Sequence, residues 1–268
     1  MIPESELAAT ARDLIAVPGV VAVALGGSRA RGTHAPDSDV DLGVYVHPRV
    51  DRVALSDAAS ARADGRVEIG PAGSWGPWVD SGAWLRVDGF PVDVIVRDID
   101  RVDEQTSRAL QGRFAFHAQP GHPLGFLDVA YAGEVALCRP LADPSGYLHD
   151  VAALLRPYPG ALRAAMIDDL WQTDFTLDAA AKAAARADTA YVALAVTQTV
   201  MRLAHAWHAA ARAWVVNEKG LVPGVGRLPI APADFGDRVT AVLAGLGNDP
   251  APLLDAVATA RSLPRPSV

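Results

Sequence analysis

Gly26-Gly27-Ser28-Arg29-Ala30-Arg31-Gly32 and, shortly after it, Asp37-Ser38-Asp39-Val40-Asp41-Leu42 decide how the rest of this chain reads. The apolar run 20–25 predicts a strand that feeds the Gly-Gly-Ser turn. Ten residues separate Ser28 from Asp39, and two aspartates then alternate within a second apolar run that continues to Val46. Side chains on a strand alternate faces, so Asp39 and Asp41 point one way and Val40, Leu42, Val44 and Val46 the other, into a core. Two ionised carboxylates about 7 Å apart on one face repel each other, and a divalent cation between them relieves that cost. Hard oxygen ligands of this kind suit magnesium.

The glycines point to the same chemistry. A Gly-Gly turn lets the backbone approach a ligand closely, and its amides with the Ser28 hydroxyl can hold a phosphate. Arg29 and Arg31 add positive charge beside it. Downstream, Phe90-Pro91-Val92-Asp93-Val94-Ile95-Val96 puts three valines on one strand face and Asp93 on the other, the pattern already seen around Asp39 and Asp41.

A Gly-Ser turn, ten residues and then Asp-x-Asp resembles the mark of the polymerase-beta-type nucleotidyltransferase superfamily. That family carries a third carboxylate on a nearby strand, which Asp93 supplies. The later part of the chain is similar to the helical domain of antibiotic-type members, those that modify aminoglycosides or lincosamides. The similarity rests on Arg186-Ala187-Asp188 at the start of a long helix and Asn217-Glu218-Lys219-Gly220 at its end. The resemblance implies an α+β fold: a small mixed-sheet catalytic domain over residues 1–120, then an all-helical domain over 121–268 that closes over the nucleotide. Gly26, Gly27, Ser28, Arg31 and Lys219 would bind the nucleotide, ATP or another nucleoside triphosphate. Asp39, Asp41 and Asp93 would bind one or two Mg²⁺ ions.

The expected reaction is transfer of a nucleoside monophosphate to a hydroxyl of a small-molecule acceptor, an aminoglycoside-like antibiotic being the first example, with release of pyrophosphate. Asp93 is the first choice of base for that hydroxyl, and Glu134 and Asp169 are alternatives. Gln119, His122 and Glu134 are candidates for lining the cleft. Two other readings stay open: a protein-modifying nucleotidyltransferase of toxin–antitoxin or regulatory type, and a nucleotide-sensing module without turnover.

Composition narrows the field. The chain has 268 residues, enough for one large or two modest domains. Its 50% hydrophobic content comes largely from alanine and so speaks for helix as much as for core. A net charge of −7 argues against nucleic acid held along a long basic groove. The single cysteine, Cys138, excludes an internal disulfide and fits a reducing cytoplasm, where it reads as a small buried hydrophobe. No signal peptide is expected at the N-terminus. The longest apolar helix, 188–216, holds Arg202, His205, His208 and Arg212 and does not suit a membrane span. The expectation is a cytoplasmic protein.

Elsewhere the pattern predicts helices over 4–17, 52–63 and 98–112, and a hairpin of 83–87 with 90–96 on an Asp88-Gly89 turn. Residues 70–82 read as a Gly- and Trp-rich loop, and 116–126 as a second loop. From Leu127 on no strand is expected, and helices are read near 128–138, 147–155, 160–186, 188–217 and 232–246, with a short one near the C-terminus. The tryptophans Trp75, Trp78 and Trp84 either pin the first loop or form an aromatic wall for a base or acceptor.

Overall fold

The structure, a computed structural model, describes residues 2–35 and 38–267, so Pro36 and Asp37 of the opening motif lie outside the described residues. Two compact units make up the chain: Met1–Arg108 with Phe114–Pro157, and Ala109–Arg113 with Tyr158–Val268. The fold is α+β. All the described strands belong to the first unit, and the described elements of the second are helical.

In the first unit α1 (Glu4–Ile15) leads to β1 (Val20–Leu25), and one helical turn, α2 (Gly27–Ala30), precedes β2 (Val40–Val46). Asp51 starts α3 (Arg52–Ser60) by accepting from the amides of Val53 and Ala54 at 2.9 and 3.1 Å, which satisfies donors that the first helical turn leaves over. β3 (Ser81–Val87) and β4 (Phe90–Asp98) form the expected hairpin. Asp88 and Gly89 at its turn both have positive φ, 50° and 76°, as a two-residue turn matched to the strand twist requires. α4 (Ile99–Leu110) follows, then β5 (Phe116–Gln119), β6 (His122–Leu127), α5 (Ala130–Leu137), β7 (Arg139–Ala142) and α6 (Tyr147–Leu154).

The main sheet runs β3-β4-β2-β1-β7, with β2 and β4 parallel and the other pairs antiparallel. Val40, Leu42, Val44, Val92, Val94 and Val96 are buried and pack with Leu14 and Leu55 into one core. The alternation read from the sequence therefore holds on both central strands. It leaves the opposite face to Asp41 and Asp93.

Two expectations about the strands are corrected. The loop read at 116–126 is an antiparallel ribbon, β5 with β6, turning at Pro120-Gly121 with Gly121 at φ 84°. Its own residues scarcely alternate. Outside partners hold it: His117 stacks on Trp78 with centroids 3.8 Å apart, and Asp128 accepts from the Ala115 amide at 2.9 Å. A strand also exists after Leu127, because β7 adds to the free side of β1. Pro140 within it lacks an N–H, which an edge strand tolerates. Residue 120, where the sequence suggests a boundary, falls in the ribbon turn inside the first unit.

The second unit contains α7 (Gly160–Asp168), α8 (Trp171–Ala184), α9 (Thr189–Ala210), α10 (Leu221–Val225), α11 (Phe235–Ala244) and α12 (Pro250–Arg261). Asp188 caps α9 by accepting from the Tyr191 amide at 3.1 Å. The stripe Val192, Val196, Val200, Leu203 and Trp207 is buried against Leu177, Phe235 and Leu253. The helix read over 160–186 is two, interrupted at Asp169-Leu170, where Asp169 pairs with Arg202 of α9 and with Gln172. Among the described residues no helix is long and apolar enough to cross a membrane.

Candidate active site

Strand register places the expected residues in a row across the first unit's sheet. Asp41 is the parallel partner of Asp93, and Asp93 is the antiparallel partner of Trp84. On the other side of Asp41, the Gly26 amide donates to the Asp41 carbonyl at 2.8 Å. Register partners project from the same face, with neighbouring strands about 4.8 Å apart. The row therefore reads Trp84, Asp93, Asp41, Gly26, on the face away from the valine core.

The glycine turn closes onto Asp41. Gly27 has φ 58°, and a Cβ there would overlap the Asp41 carboxylate. Only glycine permits both the conformation and the approach. Ser28 sits in the first position after it, and its carbonyl accepts from the Thr33 amide at 3.0 Å. Arg29 fixes the far end of the loop: its Nε donates to the Ser38 and Asp39 carbonyls at 3.2 and 3.0 Å, and its Nη2 to Ser38 at 2.5 Å. That anchor delivers Asp39, which is exposed, beside the half-buried Asp41.

Burial raises the Asp41 pKa above the ordinary carboxylate value, and the negative charges of Asp39 and Glu134 push the same way, while Arg31 and Arg29 pull it down. The balance is an under-compensated carboxylate. Asp39 and Asp93 also line an open cleft of about 620 Å³, together with Asp64, Arg66, Trp84 and Arg86. Asp64 is committed to the hairpin turn, accepting from the Asp88 and Gly89 amides at 3.0 and 2.8 Å. Among the described residues no three His, Cys, Asp or Glu side chains are grouped closely enough to hold a metal ion by themselves.

The other expected residues go to separate places. Glu134 forms a two-pronged ion pair with Arg97 at 2.6 and 2.7 Å. Arg97 is almost wholly buried, lies over the Tyr131 ring at 4.9 Å and donates to the Val79 carbonyl. Gln119 is buried beneath the Trp-rich loop: its side-chain oxygen accepts from the Trp78 amide at 2.9 Å and its NH2 donates to the Trp75 carbonyl at 2.5 Å. His122 packs edge-on to Phe126. Arg31 is exposed next to the turn and acts on Asp41 through its charge. Lys219 and Asp169 belong to the second unit. Lys219 is exposed, with its amide donating to the Asn217 side chain at 2.8 Å.

Sequence reasoning left two features unread. One is the grip of Arg29 on two carbonyls nine and ten residues away, for which only the basic flank of the turn gave a hint. The other is the division among the tryptophans: Trp78 is tied into the unit by His117 and Phe126, whereas Trp84 remains 73% exposed. The alternation of β3 carried that second signal, since Trp84 sits on the face opposite Ala83 and Leu85.

Residues 7–114 match the model of a family described as Nucleotidyltransferase domain. No curated protein matches the chain. Among solved structures, a nucleotidyltransferase-like protein from Exiguobacterium sibiricum 255-15 is similar at 12% identity and a TM-score of 0.41, covering 97% of this chain and 73% of its own. The first unit is thus similar in sequence to nucleotidyltransferase domains, and the match supports nucleotidyl transfer as its general activity.

Proposed function

We propose that the first unit transfers a nucleoside monophosphate, AMP from ATP in the first instance, to a hydroxyl of a small-molecule acceptor and releases pyrophosphate. The observation that carries the reading is the in-register pair Asp41–Asp93 with the Gly26-Gly27 turn folded onto Asp41. The turn amides and the Ser28 hydroxyl would bind the β- and γ-phosphates, and Arg31 would offset their charge.

The donor set suits a hard divalent cation. Carboxylate oxygens dominate it, Asp41 is under-compensated, and Mg²⁺ is commonly held by one or two carboxylates with substrate phosphates and water completing its shell. A closed set of three protein ligands is therefore not needed. Asp41 and Asp93, with Asp39, would hold the ion, which when bound supplies charge neutralisation and orientation of the phosphate oxygens. Asp93 would also accept the proton of the acceptor hydroxyl. The hydroxyl oxygen bonds to the α-phosphorus, the bond from that phosphorus to the bridging oxygen breaks, and pyrophosphate leaves with the electron pair.

An antibiotic-like acceptor is the first candidate, on the similarity of two segments: 186–188, which leads into α9, and 217–220, which lies beyond the end of α9 at Ala210 rather than closing the helix as expected. A protein acceptor is the second reading. Purified protein with Mg²⁺ and each of four α-phosphate-labelled nucleoside triphosphates, supplied with cell extract and with aminoglycoside and lincosamide panels, separates them. Label in a small-molecule fraction that is lost in Asp41→Asn supports the first, and label in a protein band the second. Tight nucleotide binding with no label and no pyrophosphate would overturn both in favour of a sensing module.

A further inference from the structure

Trp84 is the largest side chain in the carboxylate row, and it is left 73% exposed. Removing an indole from water is favourable, so an exposed one beside reactive groups is a ready contact for a ring. Trp84 is not loose. Trp75 stacks on it, with centroids 4.3 Å apart and planes 18° from parallel. Trp75 is itself held in two ways. Gln119 donates to its carbonyl, and Gly82 leaves the bare backbone on which the ring lies, where a Cβ would come within 2.7 Å of it. One face of Trp84 is thus backed by a fixed ring, and the side chain lines the 620 Å³ cleft together with Asp39, Asp93 and Arg66.

The order of the row says what belongs there. The phosphate-binding turn lies on the β1 side of the carboxylates and Trp84 on the β3 side, two strand spacings, about 10 Å, from Asp41. In an in-line transfer the entering oxygen approaches opposite the departing pyrophosphate. With the pyrophosphate at the turn, the acceptor enters from the β3 side.

We infer that Trp84, backed by Trp75, is the acceptor platform: it stacks the apolar face of a hydroxylated ring, sugar or aromatic, so that a ring hydroxyl reaches Asp93. Arg66, exposed on the same cleft, donates to polar substituents of that ring. This rests on the nucleotidyl-transfer reading in assigning the ring as acceptor, but the binding itself can be tested without turnover.

The test uses the full chain labelled at its tryptophan indoles with ¹⁵N, with Trp84→Phe identifying the Trp84 N–H resonance. Mg²⁺ and α,β-methylene-ATP are added first, then kanamycin, methyl β-D-glucopyranoside or 4-hydroxybenzoate, with the acyclic polyol sorbitol as control. The expected result is a saturable shift of the Trp84 resonance with at least one of the three ring compounds and none with sorbitol. Which ring shifts it distinguishes a sugar from an aromatic acceptor. In transfer assays Trp84→Ala should raise the KM for the acceptor about tenfold or more, with nucleotide affinity unchanged. A Trp84 resonance that answers to the nucleotide but to no ring compound, or a Trp84→Ala variant that loses nucleotide affinity, would overturn the inference. A wild-type protein that transfers no label while its Trp84 resonance still shifts with a ring would sink the activity and leave the platform standing.

Discussion

Asp41 and Asp93 are register partners on the two parallel central strands, so their carboxylates leave one sheet face about 4.8 Å apart at the backbone. The register of β2 with β4 puts them level while Leu42, Val44, Val94 and Val96 fill the core behind.

Asp41 is charged at a cost, and Asp41→Asn tests it twice. Transfer should fall by about two orders of magnitude or more, because a charge placed for the reacting phosphates is gone. Stability should rise. The pKa of Asp41 is raised in the folded state, so the native protein binds its proton more tightly than the unfolded chain does. Stability then falls as pH climbs from the unfolded carboxylate value of 3.8 through the raised folded one. The asparagine variant should escape that loss and melt higher at pH 7. Thermal melts at pH 4 and pH 7 check the sign. An asparagine variant that melts below the wild type at pH 7 would contradict it.

Gly27→Ala and Gly32→Ala separate backbone strain from crowding. Both positions have positive φ, 58° and 67°, and each substitution carries about 1 kcal/mol of backbone strain. At Gly32 nothing lies within 4 Å of the new methyl, whereas at Gly27 it meets the Asp41 carboxylate. Chemical denaturation should show a larger loss for Gly27→Ala, and only that variant should also lose nucleotide affinity.

Glu134 serves Arg97. Removing it by Glu134→Ala leaves a buried guanidinium uncompensated, and unfolding should become easier by about 3–5 kcal/mol. Arg97→Met with Glu134→Leu should recover much of that. If Glu134→Gln instead abolished transfer with an unchanged melting temperature, the side chain would be the base and Asp93 would not.

Cys138 should be inert while folded. Burial, with the negative charges of Glu134 and Asp143, pushes its thiol up to about 12, so at pH 8 the thiolate fraction is negligible. Iodoacetamide at that pH should leave the native chain unmodified and label it fully in denaturant. Rapid labelling of the native protein would refute the assignment.

Sequence alone determined the central strands, the hairpin and the turn, because each is a local matter. Side chains on a strand repeat with period two, and so Leu42, Val44, Val92 and Val94 were legible as core and Asp41 and Asp93 as the opposite face. Asp88-Gly89 announced the hairpin turn by chemistry confined to four residues. What only the tertiary structure decided are the relations between distant segments. Register made Asp41, Asp93 and Trp84 one row. The open side of β1 made a strand of a proline-bearing segment, and the Trp78 ring and Asp128 held the ribbon at 116–127. Arg97 claimed Glu134 and the Trp75 loop claimed Gln119, because buried polar groups must find partners wherever packing brings them. Such partners lie 37 to 44 residues apart, beyond the reach of any local pattern.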